Sequence, residues 1–181
     1  AANSAQNIGQ TTRVNSNSTF IGFKGSEDLG NGLKAIWQVE SAIALDTGAG
    51  NFATRDSFVG LTSPSLGMLQ LGLLTSSARA MGGIYDINKA ATGIGLSAAL
   101  LGKLGNFAIT DPALKTQAAG TIGQFDNRLR NSVQYTTPTF GSFSASALYS
   151  AGENTSGPRA YNANLGVKYD NGSLYAGLAY T

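Results

Sequence analysis

Stretches in which apolar residues occupy every second position recur along this chain, and that period constrains its fold more than any other feature. In Leu33-Lys34-Ala35-Ile36-Trp37-Gln38-Val39-Glu40, Leu33, Ala35, Trp37 and Val39 fall on one side of an extended backbone, with Lys34, Gln38 and Glu40 on the other. A helix would scatter both sets around its circumference, whereas a strand sorts them into an apolar face and a polar one. Stretches of this kind at 19–25, 33–41, 55–62, 67–74, 128–137, 142–150, 161–169 and 173–181 predict eight antiparallel strands.

Both faces need an environment, and composition indicates which. Only 12% of the 181 residues are charged, 42% are hydrophobic and 24 are Gly. A soluble domain usually carries about a quarter charged residues. A transmembrane β-barrel, whose side chains alternate between lipid and lumen, averages to middling hydropathy without a long apolar run. No stretch here approaches the roughly 18–20 consecutive apolar residues of a spanning helix, and no basic-plus-apolar leader opens the chain, as expected of a mature exported protein. Aromatic residues placed at or near strand ends on the apolar faces (Phe20 nearby, Trp37, Phe58, Phe143, Tyr149, Tyr161, Tyr169 and Tyr180) fit interfacial girdles.

The connections sort by length. Residues 26–32, 63–66, 138–141 and 170–172 are short and rich in Gly, Pro, Asn and Asp, the chemistry of tight hairpins, whereas 42–54, 75–127 and 151–160 are longer. In outer-membrane barrels short turns face the periplasm and long loops face outside. Strand 19–25 then runs inward, and both chain ends fall on the outer side. Barrels of this class keep both ends at the periplasm and close first strand on last, so at least one strand is expected before Ala1 and one after Thr181. Segment 75–127 holds three acids, four bases and many Ala and Gly, with helical turns expected near 96–101 and 112–115. From the residues alone it is equally an insert folded into the barrel or a surface excursion.

Three motifs now carry a family likeness. Thr19-Phe20-Ile21-Gly22-Phe23-Lys24-Gly25-Ser26-Glu27-Asp28-Leu29-Gly30-Asn31-Gly32-Leu33-Lys34-Ala35, Arg55-Asp56-Ser57-Phe58-Val59-Gly60-Leu61 and Asn131-Ser132-Val133-Gln134-Tyr135-Thr136-Thr137-Pro138 occur in order and at fitting separations. In these the chain resembles the general diffusion porins of Gram-negative bacteria, most of all the beta-proteobacterial branch. The resemblance implies a single 16-stranded antiparallel barrel domain, of which this chain would supply about strands two to nine. It further implies a homotrimer in the bacterial outer membrane, in contact with lipid and lipopolysaccharide, and a third outer loop, here 75–127, folded inward as the constriction. Such a channel passes small ions and hydrophilic solutes passively and performs no catalysis.

Strand phase nominates the pore lining. Lys34, Gln38 and Glu40 come from one strand, and Arg55 and Ser57 from the next. Arg128, Arg130, Ser132 and Gln134 share a face opposite Leu129, Val133 and Tyr135, and Asn162, Asn164 and Lys168 oppose Tyr161, Ala163, Leu165, Val167 and Tyr169. The resemblance implies a transverse field at the constriction: Arg55 and Arg128 match two wall arginines, Arg130 lies beside them, and Asp86, Asp111 and Asp126 are the loop acids available to oppose them. A further basic residue that the family often carries is absent, since Leu71-Gly72 is followed by Leu73. Inward positions Lys24, Lys34, Arg55, Arg128, Arg130 and Lys168 outnumber Glu40, which predicts anion preference. Two charges at ~4 Å interact by about 4 kcal/mol at an effective dielectric of 20, before screening.

Other chemistries have little to work with. Without Cys or His the chain lacks disulfides, the usual transition-metal ligands and the commonest general base. A net charge of +2 gives no argument for nucleic acid. Residues 27–32 lack the alternating ligands and final Glu of a Ca²⁺ loop, and Gly93-Ile94-Gly95 follows no strand as a phosphate loop would, so neither metal nor cofactor is expected. The wall arginines could equally be structural props paired with barrel carboxylates. A small eight-stranded outer-membrane barrel acting as adhesin or anchor, and a soluble β-sandwich, are the competing architectures.

Overall fold

The computed structural model describes residues 12, 14, 16, 18–85, 127–152 and 161–181. In chain order its elements are β1 (Phe20–Gly30), β2 (Leu33–Ala44), β3 (Ala49–Gly50), β4 (Ser57–Ser63), β5 (Gly67–Thr75), α1 (Ser77–Tyr85), β6 (Arg128–Thr136), β7 (Phe143–Ala151), β8 (Tyr161–Asp170) and β9 (Tyr175–Tyr180). All strands except the two-residue β3, which pairs with β2, lie in one antiparallel path, β1-β2-β4-β5-β6-β7-β8-β9, each beside its neighbour in sequence. Among the described residues β1 and β9 each have one neighbour, so the sheet is an open segment of a barrel wall.

Register shows why the period-2 pattern folds this way. One continuous row across the sheet reads Gly25, Trp37, Val59, Leu71, Val133 and Tyr149. The next reads Ser26, Ile36, Gly60, Gln70, Gln134, Leu148 and Asn164, on the other face. Burial is correspondingly inverted from that of a soluble protein: Trp37, Val59, Leu71, Val133, Leu165 and Leu178 are exposed, while Gln70, Ser132, Ser144, Ser150 and Asn164 are buried. An apolar face this extensive requires an apolar solvent, here lipid. Phe143 packs on Tyr169 with ring centroids 4.8 Å apart at the short-turn end of that face, and Tyr149 on Tyr161 at 6.0 Å toward the other end. Six residues separate Phe143 from Tyr149, about 20 Å of strand, which places the pairs near the two edges of an apolar band about 25 Å tall.

The hairpins have specific causes. Asn31 (φ 52°) and Gly32 (φ 76°) adopt the left-handed backbone that links β1 to β2, and Asp28 Oδ1 accepts the Gly30 N–H at 2.8 Å. Asn171 Oδ1 accepts from the N–H groups of Ser173 and Leu174 in the β8–β9 turn.

Three expectations are corrected. Residues 26–30 belong to β1, not to the turn, because Ser26, Glu27 and Asp28 pair with Ile36, Ala35 and Lys34, and the turn shrinks to Asn31-Gly32. Phe58 stands opposite Gln38 and Gly72 on the polar face and packs against a small buried cluster of Leu74, Leu129 and Leu148. Phe20 likewise belongs to the Gly22 and Lys24 side of β1. Helix α1 is an addition: its N-cap is Ser76, whose Oγ accepts the Arg79 N–H at 3.3 Å. The helical turns expected at 96–101 and 112–115 lie outside the described residues.

The polar face as candidate functional site

Charged side chains on or bordering the polar face come from four strands and the bend before β4. Lys24 stands opposite Gln38, Lys34 opposite Asp28 and Thr62, Glu40 opposite Gly22, and Lys168 opposite Ser144 and Gly177. Lys24, Lys34, Arg130 and Lys168 form no ion pair among the described residues. Two of the acids there are committed. Glu40 Oε2 accepts from Arg55 Nε at 3.2 Å and Oε1 from Gln38 Nε2 at 2.9 Å, while the Arg55 guanidinium lies over the Phe20 ring, 4.4 Å from its centroid. The Arg55 N–H also donates to the Glu40 carbonyl, so backbone and side chain hold the pair together.

The second pair includes an acid that strand phase alone did not nominate. Asp56, in the bend ahead of β4, accepts from the Thr75 hydroxyl at 2.6 Å and from Arg128 Nε at 2.7 Å. Burial pushes its carboxyl up, but the bonds from Thr75 and Arg128 and the charge of Arg128 outweigh burial and hold it below the ordinary value of 3.8. The signal was in the sequence: Asp56 adjoins Arg55 at the mouth of a strand, where a carboxylate can reach the ends of the following strands.

Phase is also interrupted beside Arg128. Leu74 pairs with Leu129 and Gly72 with Ser132, so β6 carries one extra residue there, and Asn131 takes φ 50°. The irregularity puts Leu129, rather than Arg128 and Arg130, in step with Ser132 and Gln134. Ser57 likewise departs from the expected row: it faces Leu73, and its hydroxyl bonds the Glu40 backbone. Arg130 is exposed and borders a groove with Arg128, Asn131, Phe52, Ala53 and Thr54, while its carbonyl accepts the hydroxyls of Ser132 and Ser150. Asp86, Asp111 and Asp126, the acids expected to face the arginines, lie outside the described residues. Among the described residues no three His, Cys, Asp or Glu side chains converge on a possible metal position.

Helix α1 packs on the polar face. Ser77, Ala80, Met81 and Ile84, spaced as one helical stripe, border a cavity of about 190 Å³ with Gln134, Thr136, Ser144, Ser146, Gly166 and Lys168 of the wall. The Ser77 and Ser146 hydroxyls are 3.3 Å apart. The chain leaving β5 therefore turns onto the face that carries the charges.

Known proteins resemble the chain along its full length. Residues 1–181 match the sequence model of the family described as Gram-negative porin. The major outer membrane protein P.IB of Neisseria meningitidis serogroup A is 33% identical over 158 residues, 86% of this chain and 40% of that protein, and that of Neisseria gonorrhoeae is 35% identical over 162 residues, 88% and 39%. The chain thus spans about two fifths of the length of these relatives. Among solved structures, an anion-selective porin from Comamonas acidovorans superposes with TM-score 0.66 at 32% identity, over 91% of this chain and 48% of that one. An outer membrane protein of Vibrio cholerae lacking its loop L8 shares the fold, with TM-score 0.60 at 19% identity, over 93% and 46%. With its alternating strands, lipid-compatible face and charged polar wall, this chain belongs to the Gram-negative porin family of the outer membrane.

Proposed function

We propose that the protein containing this chain is a passive channel for small hydrophilic solutes and ions that prefers anions. One observation carries the preference: on the polar wall Glu40 and Asp56 are each neutralised by an arginine, while Lys24, Lys34 and Lys168, which form no ion pair among the described residues, outnumber Asp28 and Asp170, the acids left in phase with them. Fixed cations along a water-filled passage raise the local concentration of anions and lower that of cations. The anion selectivity named for the Comamonas porin supports the same reading.

The geometry refines the expected arginine wall. Arg55 and Arg128 contribute reduced net fields, because their partners lie at hydrogen-bond distance, and the weight passes to the lysines. The position of α1 on the charged face supports 75–127 as the inward constriction loop. Asp86, Asp111 and Asp126 are proposed as its acids, opposing Arg55, Arg128 and Arg130 with Lys34 and Glu40 on the wall. A homotrimer held in lipid and lipopolysaccharide is the proposed assembly, in keeping with the family. The test is a reversal potential for the full-length protein in a planar bilayer under a KCl gradient: a value on the chloride side is expected, and cation preference would refute the reading.

A further inference from the structure

Two strand glycines on the polar face stand where α1 comes closest to the wall. A Cβ built on Gly166 lies 2.8 Å from Ser146 Oγ, 3.0 Å from Ser77 Cβ and 3.1 Å from Ser77 Oγ. One built on Gly177 lies 2.9 Å from Met81 Sδ and 3.4 Å from Met81 Cγ. Neither glycine has positive φ, so the backbone would accept other residues at both places; the space is taken by Met81 of α1 at Gly177, and by Ser77 of α1 together with Ser146 of the wall at Gly166. Gly166 and Gly177 sit on adjacent strands in the row system of Ser146 and Lys168, and they meet Ser77 and Met81, which lie one helical turn apart. Ser77 is 3% exposed and its hydroxyl is bonded to that of Ser146, so the seat is a closed contact.

We infer that Gly166 and Gly177 are positioning residues for conduction: they form a ledge that lets α1 lie flat on the wall and so set how much of the lumen the segment after β5 occupies. The inference rests on the channel reading given above. A β-branched or longer side chain at either glycine suits a strand but meets the helix, and the helix must then move toward the open lumen. A narrower passage conducts less.

The experiment uses the full-length protein in planar bilayers, with folding and assembly read from heat-sensitive electrophoretic mobility. Gly166→Val and Gly177→Leu are expected to lower single-channel conductance about twofold, and adding Met81→Ala to Gly177→Leu is expected to recover most of the loss, because it removes the atoms the new side chain meets. A merely destabilising substitution gains nothing from that second change. Wild-type conductance in both assembled single variants would overturn the inference. Should either fail to assemble, the Ser77→Cys, Ser146→Cys double variant decides: an oxidant-dependent intrachain cross-link supports the seat, and its absence in assembled protein overturns it. A wild-type protein that does not conduct would instead overturn the channel reading, with the cross-link still deciding where α1 sits.

Discussion

Asp56 and Arg128 show how a single pairing would reset the field of the proposed pore. The pair is only about one-fifth exposed, and Thr75 supplies the carboxylate with a second donor, so the two charges act outward as a dipole rather than as a free cation. Replacing Asp56 with Asn removes the negative charge and leaves an isosteric acceptor for Thr75. The uncovered cation acts on an ion passing ~8 Å away through water with about 0.5 kcal/mol, so the anion-to-cation permeability ratio should rise about twofold after screening. Bi-ionic reversal potentials of the variant and wild type check this, and equal ratios would refute it. The pH dependence has a defined sign. Because the Asp56 carboxyl is held below 3.8, its negative charge and its contribution to stability are fully present above the ordinary carboxylate range and are lost only as pH falls through the lowered folded value. The wild type should therefore gain anion preference in a step below pH 3.8, and that step should be missing from Asp56→Asn.

The hairpin from β4 to β5 separates two roles of glycine. Gly67 has φ +84°, and a Cβ there would collide with the Thr136 carbonyl oxygen and come within 3.0 Å of Pro138 Cδ. Gly172, in the β8–β9 turn, has φ +86° with nothing within 4 Å. Gly172→Ala should cost only the torsional penalty, about 1 kcal/mol, whereas Gly67→Ala adds a backbone clash and should cost about 2 kcal/mol or more. Urea midpoints of the full-length protein refolded into vesicles check the order, and equal midpoints would discount the clash. The same hairpins show what the sequence carried. Alternation located all eight main strands, because each face has one solvent and a slip by one residue would exchange them. It misjudged the end of β1, where Ser26-Glu27-Asp28 read as a polar turn, because polar side chains are also normal in a wall that faces water. It missed α1, although Ser76 followed by Ser77, Ala80, Met81 and Ile84 is a capped helical stripe, because two glycines and a short length dilute the period. The partners of Arg55 and Arg128 were the least legible part. The irregularity at Asn131 and the bend at residues 55–56 shift side chains in ways that strict alternation cannot represent.

Taken across eight strands, the sheet presents one face to lipid and the other to water, and its stability depends on that separation. The apolar row through Trp37, Val59, Leu71, Val133 and Tyr149 is continuous from β2 to β7 and offers no other surface for these side chains to bury against among the described residues. Trp37, the sole tryptophan of this sequence, is the natural reporter. Its indole lies across Gly25 of β1, within 2.6 Å of where a Cβ there would stand, and its relative exposure is 46%. The flat stacking on a glycine holds the ring against the wall while leaving its outer side to the acyl chains. In full-length protein reconstituted into vesicles, with any other tryptophan replaced by phenylalanine, Trp37 emission should be blue-shifted. Lipids brominated on the acyl chain should quench it strongly, and aqueous iodide should quench it weakly. The opposite pattern, strong iodide and weak bromolipid quenching, would put Trp37 toward water and exchange the two faces. Every lumen assignment in β2 would move with it, from Lys34 to Glu40, because a strand has no way of turning one side chain over without turning its neighbours.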